Sequence, residues 1–303
     1  MIPFYLVTGF LGSGKTTLLK QILNDYADDK KIGVIQNEFA PGNVDGTDLK
    51  ETGKSFEILE INKGSVFCVC LLADFIHSLR DFINQEKPDM LILEASGLAD
   101  PVSIGELLMA PELNDQLFLA HIWCIVDASK FLQIEPKMTR ITHQVRIADS
   151  VIINKTDLGG NIEAIRQRIH TLNPYAGIMT AAYCDIPFQQ VLDNYTSEPL
   201  AVRRSQEFSG IEPGGRPNIQ SAVIRTNKKI SEQQLKGFLE EYIPYTYRIK
   251  GYIRLSDGSV KAIQTAFDTC NIENISNYSG NTEIIAMGEN IEPRKMRNRL
   301  VKS

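Results

Sequence analysis

The chain has 303 residues, of which 43% are hydrophobic and 23% charged, and its formal net charge is −5. This composition is that of an ordinary globular protein with room for a sizeable core. The acidic balance argues against a general nucleic-acid-binding role, which normally brings a basic surface. Five cysteines, an odd number, do not suggest a disulfide framework and favour a reducing, cytoplasmic compartment. No apolar run reaches the roughly 18 residues of a membrane span, so we expect no membrane partner.

Short apolar segments alternate with helix-like stretches from residue 4 to about residue 182. Most of these segments are almost continuously apolar, as expected for strands that are covered on both faces. The connections between them are long enough for crossover helices, so the pattern predicts a doubly wound, largely parallel α/β sheet. The predicted strands are Phe4–Thr8, Lys31–Gln36, Phe56–Ile61, Met90–Glu94, Ile122–Asp127, Val151–Asn154 and Gly177–Ala181.

A proline- and glycine-rich stretch, residues 199–217, predicts a linker between a large domain (1–198) and a smaller one (218–303). In the smaller domain, Ser231 is expected to cap a helix, with Gln234 completing a capping box. Strands and a basic terminal helix around it predict a small α+β module. The predicted strands are Ser221–Thr226, Tyr247–Leu255 and Glu283–Met287, and the terminal helix is Pro293–Val301.

A phosphate-binding loop directly follows the first predicted strand. Residues 9–16 read GFLGSGKT, which matches G-x-x-x-x-G-K-[ST], and a helical run follows them. Glycines let the backbone approach phosphate oxygens, and amides at the helix N-terminus favour negative charge. We expect Lys15 to bridge the β- and γ-phosphates and the Thr16 hydroxyl to hold Mg²⁺, so that both act in catalysis. The expected phosphate-binding residues are Gly9, Gly12, Ser13, Gly14, Lys15, Thr16 and Thr17.

A guanine signature, N-K-x-D, ends a later predicted strand. The Asp157 carboxylate can accept both N1–H and N2–H₂ of guanine, a pairing that adenine does not offer. Asn154 is expected to bond N7, and the stem of Lys155 to cover the ring face. The segment Thr180-Ala181-Ala182 ends the next predicted strand, and we expect it, through Ala181, to supply a backbone N–H to guanine O6.

A carboxylate, Glu94, ends the strand between these two motifs. It is placed to reach Mg²⁺ and to take part in catalysis, and the Gly97 N–H is expected to follow the γ-phosphate. Leu98 stands where some GTPases carry a water-orienting glutamine, so we expect slow hydrolysis of GTP to GDP. A small-molecule kinase is the weaker alternative, because kinases do not need the guanine tetrapeptide and no lid-like arginine cluster is evident.

These motifs, with several others, closely resemble the CobW-type GTPases, which are metallochaperone relatives of UreG and HypB. The resemblance covers nearly the whole chain. It implies a G domain, a smaller C-terminal domain and delivery of a transition metal to a client metalloprotein, with GTP as the switch. Glu94 in place of the more common aspartate is itself a feature of that family. The segments that carry the resemblance are residues 9–17, Asn37–Phe39, Asp45-Gly46, Glu94–Pro101, Ile125–Ala128, Ala148–Leu158 and Arg248–Ile253.

One family motif, Cys-x-Cys-Cys, is altered in this chain. If Cys68 and Cys70 are its first two cysteines, Leu71 occupies the third position, and an alignment on Gly64 keeps Cys68 alone. The thiolates of Cys68 and Cys70, with the Glu38 carboxylate and a water, could bind Zn²⁺, Co²⁺ or Fe²⁺.

The altered motif also leaves room for a metal-independent GTPase switch that helps to load a cobalamin-type cofactor. The remaining cysteines, Cys124, Cys184 and Cys270, are predicted to be packing residues. The client protein is not identified, and a homo-oligomer is a further candidate partner.

Overall fold

The protein forms two compact units, Met1–Tyr195 and Thr196–Ser303, each with its own sheet and hydrophobic core. The computed structural model describes residues 1–37, 56–61, 69–97, 110, 112–113, 116–193, 200–201, 219–266, 269–275, 278, 280–289 and 291–302. No helix among them is both long and apolar enough to cross a membrane.

The first unit contains a seven-stranded sheet in which all neighbouring strands are parallel. Its strands are β1 (Ile2–Gly9), β2 (Ile32–Asn37), β3 (Glu57–Ile61), β4 (Met90–Glu94), β5 (Leu117–Asp127), β6 (Ser150–Asn154) and β7 (Gly177–Thr180). The spatial order is β3-β2-β4-β1-β5-β6-β7. The predicted α/β fold is therefore confirmed. Strands β2, β3 and β4 lie on one side of β1 and β5, β6 and β7 on the other, and this switch point opens a crevice at the carboxyl ends of the strands.

Helices connect the strands of this sheet or follow its last strand. They are α1 (Lys15–Tyr26), α2 (Val69–Glu86), α3 (Phe131–Ile134), α4 (Thr139–Ile147), α5 (Ile162–Leu172) and α6 (Gln189–Asp193), and 3₁₀ turns span Glu135–Lys137 and Thr156–Leu158. In α1, Leu18, Leu19, Ile22 and Leu23 fall at helical spacing and are fully buried in the core. Their burial fixes the N-terminus of α1 against the sheet, directly after the glycine loop.

The described residues of the second unit form an antiparallel six-stranded sheet with two helices. Its strands are β8 (Leu200–Ala201), β9 (Ile219–Thr226), β10 (Thr246–Arg254), β11 (Val260–Ala266), β12 (Thr269–Asn274) and β13 (Thr282–Glu289), in the order β8-β12-β11-β10-β13-β9. Its helices are α7 (Glu232–Tyr242) and α8 (Pro293–Val301), and a 3₁₀ turn spans Ile243–Tyr245. Within the predicted linker, Leu200–Ala201 pairs with β12, and residues 202–217 lie outside the described part of the chain.

The start of α7 has the predicted capping box. The backbone N–H of Gln234 donates to Ser231 Oγ at 3.1 Å, and the N–H of Ser231 donates to Gln234 Oε1 at 2.8 Å. Both donors would otherwise be without partners at a helix N-terminus. Phe238 of α7 and Met296 of α8 then pack into the core of this unit. The prediction for Ser231 is thus confirmed in both of its bonds.

Candidate nucleotide site

A cleft of about 660 Å³ lies at the carboxyl ends of the parallel strands of the first unit. The predicted site residues that line it are Gly12, Gly14, Lys15, Thr16, Thr17, Glu94, Gly97, Asn154, Lys155 and Asp157. The lining residues that the sequence did not single out as ligands are Leu11, Gln36, Ala95, Ser96, Leu158 and Tyr183. The structure therefore brings motifs from distant parts of the chain together around one cavity, at the usual ligand position of such a sheet.

The glycine loop has the backbone that its sequence requires. Gly9, Gly12 and Gly14 have φ values of +143°, +70° and +116°, which residues with a Cβ rarely adopt. A Cβ on Gly9 would lie 2.3 Å from the Ile125 carbonyl oxygen, so Gly9 packs against β5 and does not line the cleft. Lys15, at the start of α1, is 7% exposed, and its Nζ donates to the Phe10 carbonyl at 3.3 Å.

The predicted Mg²⁺ residues are in direct contact. Thr16 Oγ1 donates to Glu94 Oε1 at 2.8 Å, and Gln36 Nε2 donates to Glu94 Oε2 at 3.4 Å. Gln36 is 4% exposed, and its Oε1 has no hydrogen-bond partner among the described residues although the side chain lines the cleft. A hydroxyl, a carboxylate and a buried acceptor oxygen fit the preference of Mg²⁺ for hard oxygen ligands and retained waters.

Asn154 connects the two ends of the cleft. This residue is 2% exposed, and its Nδ2 donates to the Ser13 carbonyl at 2.8 Å. Its Oδ1 accepts from the backbone N–H of Cys184 at 2.8 Å. The predicted bond to guanine N7 would therefore use the second N–H of an amide that already fixes the glycine loop. The carbonyl of Ser13 accepts the bond from Asn154, but Ser13, like Gly9, does not line the cleft.

Lys155 is held by an acid that the sequence reasoning did not assign to the site. Its Nζ lies 3.0 Å from Asp127 Oδ2, and Asp127 Oδ1 also accepts from the N–H and hydroxyl of Ser129 at 2.9 and 2.6 Å. Burial raises the pKa of Asp127, but the hydrogen bonds from Ser129 and Lys155 outweigh it and hold the pKa below 3.8. The sequence feature that could have identified Asp127 is its position as a carboxylate at the end of an apolar strand, as for Glu94.

The prediction for Ala181 needs a correction. Its backbone N–H donates to the Ile153 carbonyl at 2.9 Å, and Ala181 does not line the cleft. The β6–β7 ladder thus continues one residue past Thr180 and engages the amide that was predicted to reach guanine O6. The Ala181 carbonyl accepts instead from the N–H and hydroxyl of Thr156, both at 3.1 Å, which holds the tetrapeptide turn.

The loop after β7 is a second element that the sequence did not identify. Tyr183 and Cys184 both have positive φ, +54° and +58°. The Tyr183 carbonyl accepts from Gln21 Nε2 at 2.8 Å, and the Cys184 thiol lies 3.3 Å from the Gly14 carbonyl. Burial raises the pKa of the Cys184 thiol to about 12, so it is a neutral packing group. Cys124 and Cys270 are also buried free cysteines, as predicted.

The predicted transition-metal residues are not part of the described site. Glu38 and Cys68 lie outside the described residues, and only the backbone of Cys70 is described, at the start of α2. Leu98 also lies outside them. In the part of the chain that the structure describes, no group of three or more His, Cys, Asp or Glu side chains could hold a metal ion.

A glycine loop between the first strand and first helix of a parallel sheet, with a lysine and a threonine opening that helix, defines a P-loop nucleotide-binding protein. Residues 3–180 match the family model "CobW/HypB/UreG, nucleotide-binding domain", and residues 219–302 match "Cobalamin synthesis protein cobW C-terminal domain". The chain therefore belongs to the CobW/HypB/UreG family, which confirms the resemblance in its sequence.

Several curated relatives are similar to this chain. It is 33% identical to "Zinc chaperone YjiA" of Escherichia coli K12 over 61% of this chain and 59% of the relative. It is 30% identical to "Zinc chaperone CobW" of Sinorhizobium sp over 55% of each chain. The yeast protein "Zinc-regulated GTPase metalloprotein activator 1" is 28% identical over 66% of this chain and 53% of its own. The chain thus spans only about half to three-fifths of these relatives.

Among solved structures, the crystal structure of Zn(II)-bound YjiA GTPase from E. coli matches with a TM-score of 0.64. The match covers 100% of this chain and 99% of the other, at 22% identity. This likeness shows that both units share their fold with that protein.

Proposed function

We propose that this protein binds GTP, hydrolyses it slowly, and uses it as a switch in delivering a transition metal to a client metalloprotein. The observation that carries the nucleotide part is that the glycine loop, Glu94 and the Asn154–Asp157 tetrapeptide line one cleft. Each motif alone is a short sequence match, and their convergence supplies both a phosphate end and a base end.

At the phosphate end, the backbone amides of the loop and the N-terminus of α1 would receive the phosphates. Lys15 would exchange its bond to the Phe10 carbonyl for phosphate oxygens. At the base end, Asp157 would accept the two guanine donors, while Lys155, held at its amine by Asp127, would present its stem to the ring.

The catalytic roles that we propose belong to Lys15, Thr16 and Glu94. Mg²⁺ bound near Thr16 and Glu94 would neutralise charge that develops on the phosphates. Glu94 is oriented by Thr16 and Gln36, which bond one carboxylate oxygen each. Since Leu98 replaces a water-orienting glutamine, we expect turnover below about 1 s⁻¹ without a partner. A faster rate of phosphate release from GTP, measured on the isolated protein, would contradict this assignment.

Calorimetry with GDP and ADP tests the nucleotide proposal. We expect GDP to bind at least about 100-fold more tightly, because an adenine would leave the Asp157 carboxylate without its two donors. Equal affinities would favour the alternative of a P-loop small-molecule kinase.

For the metal, we propose Zn²⁺, with Co²⁺ and Fe²⁺ as competitors and Cys68, Cys70 and Glu38 as ligands. The support is that similar proteins carry the names zinc chaperone and zinc-regulated GTPase metalloprotein activator. If GTP changes the affinity for Zn²⁺, then Zn²⁺ must change the affinity for GTP by the same factor.

The metal proposal is tested by metal analysis of protein purified with a non-hydrolysable GTP analogue and with GDP. We expect zinc in one state and less in the other, together with reciprocal coupling in calorimetric titrations. A Cys68→Ser, Cys70→Ser double variant that keeps full activity toward its client would favour a second candidate. That candidate is a metal-independent GTPase switch in cobalamin-type cofactor loading, and the altered cysteine motif favours it.

A further inference from the structure

One aromatic side chain at the base end of the cleft is largely exposed to solvent. Tyr183 is 72% exposed, yet it lines the cleft together with Lys155, Asp157 and Leu158. An aromatic ring contributes most to stability or binding when its apolar surface is buried. A ring that is exposed at the mouth of a ligand cleft becomes buried only when a ligand binds there.

The backbone under this ring is unusual. Four non-glycine residues of the described chain have positive φ, and three of them are Lys155, Tyr183 and Cys184. Two consecutive left-handed residues with side chains cost free energy, and such conformations concentrate at ligand sites. The backbone is therefore strained at the residue that carries the ring.

Three tethers fix this strained turn to the rest of the site. Gln21 of α1 donates to the Tyr183 carbonyl at 2.8 Å, and the Cys184 N–H donates to Asn154 at 2.8 Å. The Cys184 thiol lies 3.3 Å from the Gly14 carbonyl. The ring is thus mounted on the same elements that form the phosphate loop and the guanine tetrapeptide.

We propose that Tyr183 is a base-contacting residue whose ring packs against the face of the guanine in bound GTP or GDP. This inference rests on the proposed guanine-nucleotide function and adds a residue to that site. Every base has a π-face, so stacking adds affinity without choosing between bases, whereas Asp157 makes the choice. Tyr183 therefore contributes to nucleotide affinity and leaves the guanine preference unchanged.

The test compares two variants and two probes. Tyr183→Asn removes the ring but tolerates the left-handed backbone, and Tyr183→Phe keeps the ring. We expect Tyr183→Asn to raise the Kd for GDP about 10-fold, within the range of base–aromatic stacking, and Tyr183→Phe to stay within about 2-fold. Pyrophosphate, which has no base, should bind wild type and both variants equally. The ratio of ADP to GDP affinity should also be the same in all three proteins.

Two results would overturn the inference. If Tyr183→Asn binds GDP as wild type does, the ring does not contact the base. If Tyr183→Asn weakens pyrophosphate as much as GDP, the loop acts on the phosphate end through Cys184 and Gly14. Failure of the proposed function looks different, since wild-type protein would then bind ADP as tightly as GDP. The ring contact would in that case be tested with ADP in the same variants.

Discussion

The two ends of the nucleotide cleft are built in different ways. At the phosphate end, one contiguous loop and the first turn of α1 supply the amides, Lys15 and Thr16, and Glu94 at the end of β4 adds a carboxylate. The base end is assembled at the ends of three strands, with Asp127 as the last residue of β5, Lys155 after β6 and Tyr183 after β7. A short segment of chain can make a phosphate site, whereas this base site depends on the order of strands in the sheet.

The two ends are joined through one buried amide. Asn154 belongs to the guanine tetrapeptide, but it bonds the carbonyl of Ser13 in the glycine loop and the N–H of Cys184. The effect of a variant at either end should therefore be measured with two ligands. One is a nucleotide, which has a base, and the other is pyrophosphate, which has none.

The largest effect is expected from Lys15→Ala, at the phosphate end. Removal of the amine deletes the charged hydrogen bonds to phosphate, so GTP, GDP and pyrophosphate should all bind at least about 100-fold more weakly. Calorimetry measures these affinities. Lys302→Ala, which removes an exposed lysine of the second unit, is the control and should bind as wild type. Loss of GDP binding with pyrophosphate binding unchanged would contradict the division of the cleft.

The next effect is expected from Asp157→Asn, at the base end. The amide presents a donor where guanine also presents one, so GDP should bind about 100-fold more weakly and xanthosine diphosphate should regain most of that loss. Pyrophosphate should bind as it does to wild type. Asp185→Asn, at an exposed position of the loop after β7, is the control. If xanthosine diphosphate gains nothing, Asp157 does not read the base.

A smaller effect is expected from Asp127→Asn. Lys155 would lose its charge partner, and since the Lys155 amine is partly exposed to solvent we expect GDP to bind about 3- to 10-fold more weakly. Asp257→Asn is a matched control, because Asp257 accepts the same two bonds from Ser259, at 2.9 and 2.7 Å, and lies in the second unit. If both substitutions weakened GDP binding equally, the loss of the ion pair with Lys155 would not be the cause of the weaker binding.

The smallest effect on binding is expected from Glu135→Gln, which lies at neither end. Glu135 is buried and accepts from Arg168 at 2.8 and 3.0 Å and from Thr142 at 2.6 Å. Loss of its charge should lower the free energy of unfolding by about 2 kcal/mol at neutral pH and leave the GDP affinity unchanged. Glu163→Gln, at an exposed position of α5, is the control.

The same cluster predicts a pH dependence of stability. Burial raises the pKa of Glu135, but the bonds from Arg168 and Thr142 outweigh it, so the folded-state pKa lies below 4.5. A carboxyl group whose pKa is lowered by folding contributes its full stabilisation at pH values above its unfolded-state pKa. This contribution to the free energy of unfolding is lost as the pH falls through the folded-state pKa. Denaturant unfolding between pH 7 and pH 3 should therefore show a shallower decline below about pH 4.5 in Glu135→Gln than in wild type. Parallel curves would argue against this linkage.

The strands of the two sheets differ in how well the sequence pattern predicts them. Most strands of the parallel sheet are buried on both faces, although β7 is partly exposed, and their apolar runs predicted all seven, β4 with the observed bounds. In the second unit, β11 and β12 were missed because residues such as Lys261 and Asn271 interrupt the apolar pattern. These strands are held by antiparallel pairing, for example Lys261 opposite Asn274, which a single segment does not reveal.

The sequence by itself determined the phosphate loop, the guanine tetrapeptide and Glu94, because the residues of each motif are contiguous or end a recognisable strand. Only the tertiary structure decided that Asp127 holds Lys155, that the Ala181 amide belongs to the sheet ladder, and that Tyr183 lines the cleft. The physical reason is that these contacts join residues far apart in the chain. Strand order and register place them together, and the hydrophobic pattern of one segment carries no information about its neighbours in the sheet.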